Sequence, residues 1–232
     1  HEQLFVHCLK LLASADAHVL ADLQQISPQA IQQQLSQQPQ LSTELTLLRR
    51  CGENLADVFQ NKRDPLTLLF PEGDLTDLTQ LYQSSAGPQV MTQLVQAAVI
   101  EAVKQSPNNR PLRILEIGAG TGGTTAQLLP QLADLAQPIA YLFTDISPRF
   151  ISAAKDRFQD FSFVEYALLN IEISPQAQDL ANELANEFDI VIAANVLHAT
   201  ADLQTTLKNV SGLLAPGGQL VLLEGTQPVS WI

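Results

Sequence analysis

The stretch Arg113-Ile-Leu-Glu-Ile-Gly-Ala-Gly-Thr-Gly-Gly123 constrains the fold of this chain more than any other. Residues 113–117 are short, largely apolar and β-rich, with Arg113 at the start and Glu116 the one charge inside, and they read as a buried strand. Gly118, Gly120, Gly122 and Gly123 follow, then a helix-compatible run over 124–132. Glycines let the backbone turn tightly through positive φ and let a ligand approach the chain closely. The helix start behind them offers unpaired N–H groups to an acceptor.

The same alternation continues from Pro111 to the end. Strands are expected at 113–117, 139–144, 162–168, 188–194 and 219–224, with helices at 124–132, 148–158, 175–186 and 201–214. That order specifies an α/β fold with an open parallel sheet and helices on both faces. Ligands of such sheets sit at the carboxyl ends of the strands, where strand order reverses. The residues just after each strand are therefore the candidates for function.

Upstream the period is helical. An amphipathic segment covers 2–12, and Ser27-Pro28 opens a Gln-rich helix that runs to 40. Ser42 caps a helix over 43–51, and 53–61 continues after Gly52. Asp64-Pro65 and Pro71-Glu72-Gly73 read as breaks, and Asp74 or Thr76 caps the helix carrying Leu78, Leu81 and Tyr82. A loop at 84–88, a long helix over 89–105 and a hinge at 107–111 complete the segment. The division expected is a helical subdomain at 1–107 and an α/β core at 108–232.

Length and charge narrow the function. With 232 residues, 46% of them apolar, the chain can build one large domain or a domain with a cap. A formal net charge of −12 argues against nucleic acid as a substrate, since phosphate contacts need basic patches. No apolar run approaches the ~18 residues of a membrane helix. Cys8 and Cys51 have no metal spacing and suggest a reducing, cytoplasmic setting. The chain starts at His1 with no signal-peptide pattern and reads as a segment of something longer.

Two ligand classes use a turn of this kind. Gly118, Gly120 and Gly123 satisfy the dinucleotide pattern G-x-G-x-x-G, a weak signal alone. Glu116 tilts the reading, because a carboxylate beside the turn repels a pyrophosphate and suits the cationic amino group and sulfonium of S-adenosylmethionine (SAM). Asp145 ends the second strand near the spacing of about 20 residues expected for a ribose-hydroxyl acceptor. It either accepts both ribose hydroxyls or only caps the helix at Ser147-Pro148. Ile146 is placed to pack on adenine. Asn195 and His198 follow the fourth strand, and Glu224 ends the fifth. If these strands are neighbours, Glu224 can orient His198 and raise its basicity, which makes a general base. Otherwise Glu224 caps a loop and His198 is structural.

Seven stretches carry a wider resemblance: Arg50-Cys-Gly-Glu-Asn-Leu-Ala56, Asp64-Pro-Leu with Leu69-Phe-Pro-Glu-Gly73, Leu81-Tyr82, the glycine turn, Phe143-Thr-Asp-Ile-Ser147, Ala193-Ala-Asn-Val-Leu-His198 and Leu222-Leu-Glu-Gly225. Together they are similar to the methyltransferase domains embedded in modular polyketide synthases and hybrid nonribosomal peptide/polyketide synthases. The resemblance implies a class I SAM-methyltransferase, Rossmann-like core under an N-terminal helical lid, with Tyr82 facing SAM or substrate. It implies SAM held by Glu116, Gly118, Gly120, Gly122, Asp145, Ile146, Asn170 and Asn195. Asn170 stands where the family commonly has an Asp for the adenine amino group. It further implies methylation of the α-carbon of a β-ketoacyl chain on the phosphopantetheine arm of an acyl carrier protein, with other synthase domains in the same polypeptide. His198 then takes the α-proton and Glu224 orients it. The family's sheet has two more strands than the five expected here, so the core reads as truncated. O-methylation of a β-hydroxyl by the same kind of base, and an inactive domain with a structural role, are the alternatives.

Overall fold

The computed structural model describes residues 42–74, 86–106, 110–178 and 188–225, and positions 33, 76 and 80. The expected helices at 2–12 and 27–40, most of the Tyr82 helix including Tyr82 itself, and 179–187 lie outside the described residues. The chain divides into two compact units, residues 1–88 with 228–232, and residues 89–227.

The first unit contributes α1 (Ser42–Glu53), α2 (Leu55–Phe59), α3 (Leu66–Leu69) and a 3-10 turn at Pro71–Gly73. The first helix runs through Gly52 rather than stopping at Cys51. Arg50 Nη1 donates to the Leu68 carbonyl at 3.1 Å and joins α1 to α3. Asp64 Oδ1 accepts from the Leu66 N–H at 2.9 Å, so the expected break at Asp64-Pro65 is a helix start. Asp74 Oδ1 likewise accepts from Thr76 N, at 2.9 Å.

The second unit runs α4 (Ala86–Gln105), β1 (Leu112–Ile117), α5 (Gly123–Ala133), β2 (Ile139–Asp145), α6 (Pro148–Arg157), β3 (Val164–Leu168), β4 (Phe188–Ala194), α7 (Leu203–Ser211) and β5 (Leu214–Leu223). All strand pairs are parallel, in the order β3-β2-β1-β4-β5. Strand order reverses between β1 and β4, which opens a crevice at their carboxyl ends. The chain thus has the open, doubly wound parallel sheet expected from its alternation of strands and helices.

Both faces of the sheet are buried, which is why its central strands are continuous apolar runs. On one face Ile114, Phe143, Ile190 and Ile192 pack with Leu128, Leu129 and Leu132 of α5, Phe158, and Val95, Val99, Ala102 and Val103 of α4. On the other, Leu115, Ile117, Val191 and Ala193 pack with Val210 and Leu213 around α7. Two expectations change here. Helix α4 begins at Ala86, inside the expected loop, and from Gln89 on it belongs with the sheet and not with the N-terminal helices. Its apolar positions are those of any amphipathic helix, and only the sheet reveals what they cover. Strand β5 starts at Leu214 and not at 219, because Ala215-Pro-Gly-Gly218 forms a bulge inside it: Phe188 pairs with Leu214, and Ile190 with Gln219. Gly218 permits it, because a Cβ there would stand 2.7 Å from the Phe188 carbonyl oxygen. The helix expected over 175–186 shows only a 3-10 turn at Pro175–Ala177 among the described residues.

At the amino ends of β1 and β4, Asp189 ties the two strands. Its Oδ2 accepts from Arg110 Nη1 at 2.8 Å and from the Arg113 N–H at 2.9 Å. Among the described residues no helix is long and apolar enough to cross a membrane. Because Val99 is fully buried against the sheet, Val99→Asp should cost roughly 3 kcal/mol or more by burying an unpaired charge. Urea unfolding followed by the Trp-independent far-UV signal checks this; an unchanged midpoint would mean that α4 does not belong to the core.

Candidate active site

The glycine turn lies between β1 and α5 and is gripped from several sides. Gly118, Gly120 and Gly122 all have positive φ. A Cβ at Gly118 would run into Val196 Cγ2 and stand 2.9 Å from Val196 Cβ, so this position needs glycine for both conformation and space. At Gly120 the nearest atom to such a Cβ is 3.9 Å away, so the backbone there faces open space, as a cradle for a ligand requires. No side chain caps α5, whose N-cap is Gly122. Arg157 Nη1 donates to the Thr121 carbonyl at 2.9 Å and ties the turn to α6.

Asp145 is buried at the end of β2. Its Oδ2 accepts from the Gly120 N–H at 2.9 Å, and its Oδ1 from the Ser147 N–H at 2.8 Å. The carboxylate therefore holds the turn and the start of α6 at once. Two of its roughly four lone-pair sites are used in this way. Ile146 beside it is 65% exposed. Asn170 is turned into its own loop: its Oδ1 accepts from the Glu172 N–H at 3.0 Å.

Glu116, expected among the residues that hold SAM, lies in β1 two residues before Gly118. It is 2% exposed, beneath the turn. Its Oε2 accepts from Thr125 Oγ1 and from Tyr141 Oη, each at 2.5 Å. The side chain thus joins β1, α5 and β2 inside the core. Burial raises its pKa to about 7, against the two hydroxyl bonds that favour the ionised form. Sequence reasoning did not single out Thr125 or Tyr141; the only signal is a hydroxyl in each of two largely apolar segments, and other hydroxyls share those segments.

The fourth strand exits through Asn195, which is exposed and sits in the left-handed region at φ 54°. Its N–H donates to the Leu223 carbonyl at 2.8 Å. A 3-10 turn over Leu197–Ala199 carries His198. Strands β4 and β5 are neighbours, and the structure brings the two candidates together: His198 Nδ1 lies 2.6 Å from Glu224 Oε2. The other oxygen, Oε1, accepts from the N–H groups of Val196 at 3.0 Å and Leu197 at 2.6 Å. Glu224 therefore both caps the loop and touches His198, the two options that the sequence left as alternatives. The His198 side chain is 59% exposed and the Glu224 side chain 16%.

A family model described as a methyltransferase domain matches residues 115–220, the span from β1 to β5. Residues 115–220 belong to this family. Among its relatives is the citrinin polyketide synthase of Monascus ruber, 38% identical over 205 residues, which are 87% of this chain and 8% of the synthase. The solved CMeT domain of a citrinin polyketide synthase superposes with a TM-score of 0.80 at 37% identity, over 87% of this chain and 52% of that one. The CurJ carbon methyltransferase gives a TM-score of 0.80 at 45% identity, over 89% and 54%. The trans-methyltransferase CalH, solved with S-adenosylhomocysteine (SAH), gives 0.64 at 35% identity, over 83% and 51%. This methyltransferase domain thus spans about half of the solved relatives and a small part of the synthase.

The buried carboxylate makes a pH prediction for the domain. Because folding raises the pKa of Glu116 from 4.5 to about 7, its contribution is fully present below pH ~4.5 and lost as pH rises toward 7. Above that, ionised Glu116 costs on the order of 3 kcal/mol. Glu116→Gln keeps an acceptor for both hydroxyls and should remove that fall between pH 5 and 8, as read from urea unfolding. An identical pH dependence in both proteins would refute the assignment.

Proposed function

We propose that this domain transfers a methyl group from SAM to the α-carbon of a β-ketoacyl chain carried by an acyl carrier protein. The observation that carries the reading is the His198–Glu224 contact at the carboxyl ends of β4 and β5, beside the glycine turn. A carboxylate only accepts, so Nδ1 carries the proton and Nε2 keeps its lone pair. His198 then takes a proton at Nε2 from the carbon flanked by ketone and thioester. Glu224 stabilises the imidazolium that results and holds the ring in place. SAM, when bound, supplies an electrophilic methyl on a sulfonium. The open space at Gly120, the spare lone pairs of Asp145 and the exposed Ile146 suit it as cradle, ribose acceptor and adenine platform. Gly118, Gly122 and Asn195 frame the same crevice in this reading. Glu116, through its bonds to Thr125 and Tyr141, supports the turn from below. The rest of the work is positioning the methyl against the enolate.

The choice of carbon over oxygen follows the solved carbon methyltransferases. The carrier protein, with its phosphopantetheine arm, and neighbouring synthase domains follow the polyketide synthases among the relatives. Mass spectrometry of an acyl-carrier substrate incubated with SAM tests the reaction: fragmentation should find the new methyl on the α-carbon, and a methyl ether would overturn the carbon assignment. His198→Ala should lower transfer by roughly 10²–10⁴-fold with SAM affinity unchanged. Full activity in that variant would return His198 to a structural role. Asp145→Ala should weaken SAM binding by about 1–3 kcal/mol in calorimetry; unchanged affinity would remove Asp145 from the cofactor site.

A further inference from the structure

Val196 sits between the two halves of the site, and the sequence offers no reason to single it out. Its side chain lies against Gly118, close enough that its Cβ, Cγ1 and Cγ2 would all meet a Cβ there. Its N–H donates to Glu224 Oε1 at 3.0 Å. The other oxygen of that carboxylate holds His198 Nδ1 at 2.6 Å. Val196 is also the N-cap of the 3-10 turn that carries His198, and it packs on the buried cluster around Ile117, Ala193 and Leu197. The glycine turn is therefore held between two carboxylates. Asp145 grips Gly120 directly on the β2 side. On the β4 side the grip passes from Glu224 through the Val196 backbone to the Val196 side chain.

From this we infer that Val196 is a positioning residue: it is the contact through which the cofactor turn and the His198–Glu224 pair set each other's position. The inference rests on the function proposed above for its catalytic meaning. A shift of the turn at Gly118 moves Val196, and Val196 shares its anchor with His198. Packed contacts transmit displacement because the interior is dense. A coupling of this kind is reciprocal, so a change at the dyad loop must also alter affinity at the turn.

The test needs a readout at His198 that involves neither cofactor nor turnover. The imidazole NMR signal of His198, identified by its loss in His198→Ala, serves. Gly118→Ala, which makes no contact with the ring, should displace that signal. In the double variant Gly118→Ala/Val196→Gly, where the obstructing side chain is gone, at least half of the displacement should vanish. Equal displacement in both backgrounds would overturn the inference. Should Gly118→Ala fail to fold, as its melting profile would reveal, Val196→Ala and Val196→Thr carry the test. Val196→Ala should weaken SAM binding several-fold in calorimetry and lower kcat about tenfold, while Val196→Thr, of nearly the same shape, should restore both. A Val196→Ala protein with unchanged SAM affinity and an unmoved ring signal would contradict the inference. Ring coupling in these variants together with a wild-type chain that binds no SAM would support the contact and overturn the proposed function instead.

Discussion

Both oxygens of Glu224 are engaged, Oε1 by the N–H groups of Val196 and Leu197 and Oε2 by His198 Nδ1. One side chain thus fixes the backbone that carries the histidine and the ring itself. A charged acceptor bound to backbone donors is among the stronger hydrogen-bonding arrangements available to a protein. The exposed His198 would otherwise sample many ring orientations. The carboxylate, far less exposed than the imidazole, removes that freedom in advance of any substrate.

That arrangement depends on the sheet. Glu224 follows β5, and its reach to His198 exists only because β5 pairs with β4. Three carboxylates line the same end of the sheet at different depths, and depth separates their roles. Glu116 lies in the core and is driven toward its neutral form by desolvation. Asp145, buried at the strand end, keeps two backbone N–H partners. Glu224 is at the rim, next to the exposed His198. The same functional group therefore braces, grips the turn and orients, according to how much water it meets.

Much of this was readable in the sequence. The glycine turn, the alternation of strands and helices, and the polar residues directly after β2, β4 and β5 all follow from local pattern. The meeting of His198 and Glu224 needed one further fact, the adjacency of β4 and β5, which no local pattern contains. What the sequence hid was set by tertiary contact. The partners of Glu116 are Thr125 and Tyr141, which come from separate elements. Helix α4 looked like part of an N-terminal helical unit because amphipathic spacing says that one face is covered without saying by what. The true start of β5 at Leu214 was hidden because Ala215-Pro-Gly-Gly218 is a bulge, and bulges draw on the residues that also break strands. Val196 looked like any strand-end valine until Gly118 was found beneath it.

The central claim is that His198, held by Glu224, removes a proton from carbon before any methyl moves. Isotope exchange tests this step alone. A β-ketoacyl thioester incubated with the protein in D₂O, with SAH in place of SAM, should take up deuterium at the α-carbon faster than the uncatalysed background. That excess should disappear in the His198→Ala protein. Exchange at the background rate in the wild type, or an excess that survives the loss of His198, would contradict the account.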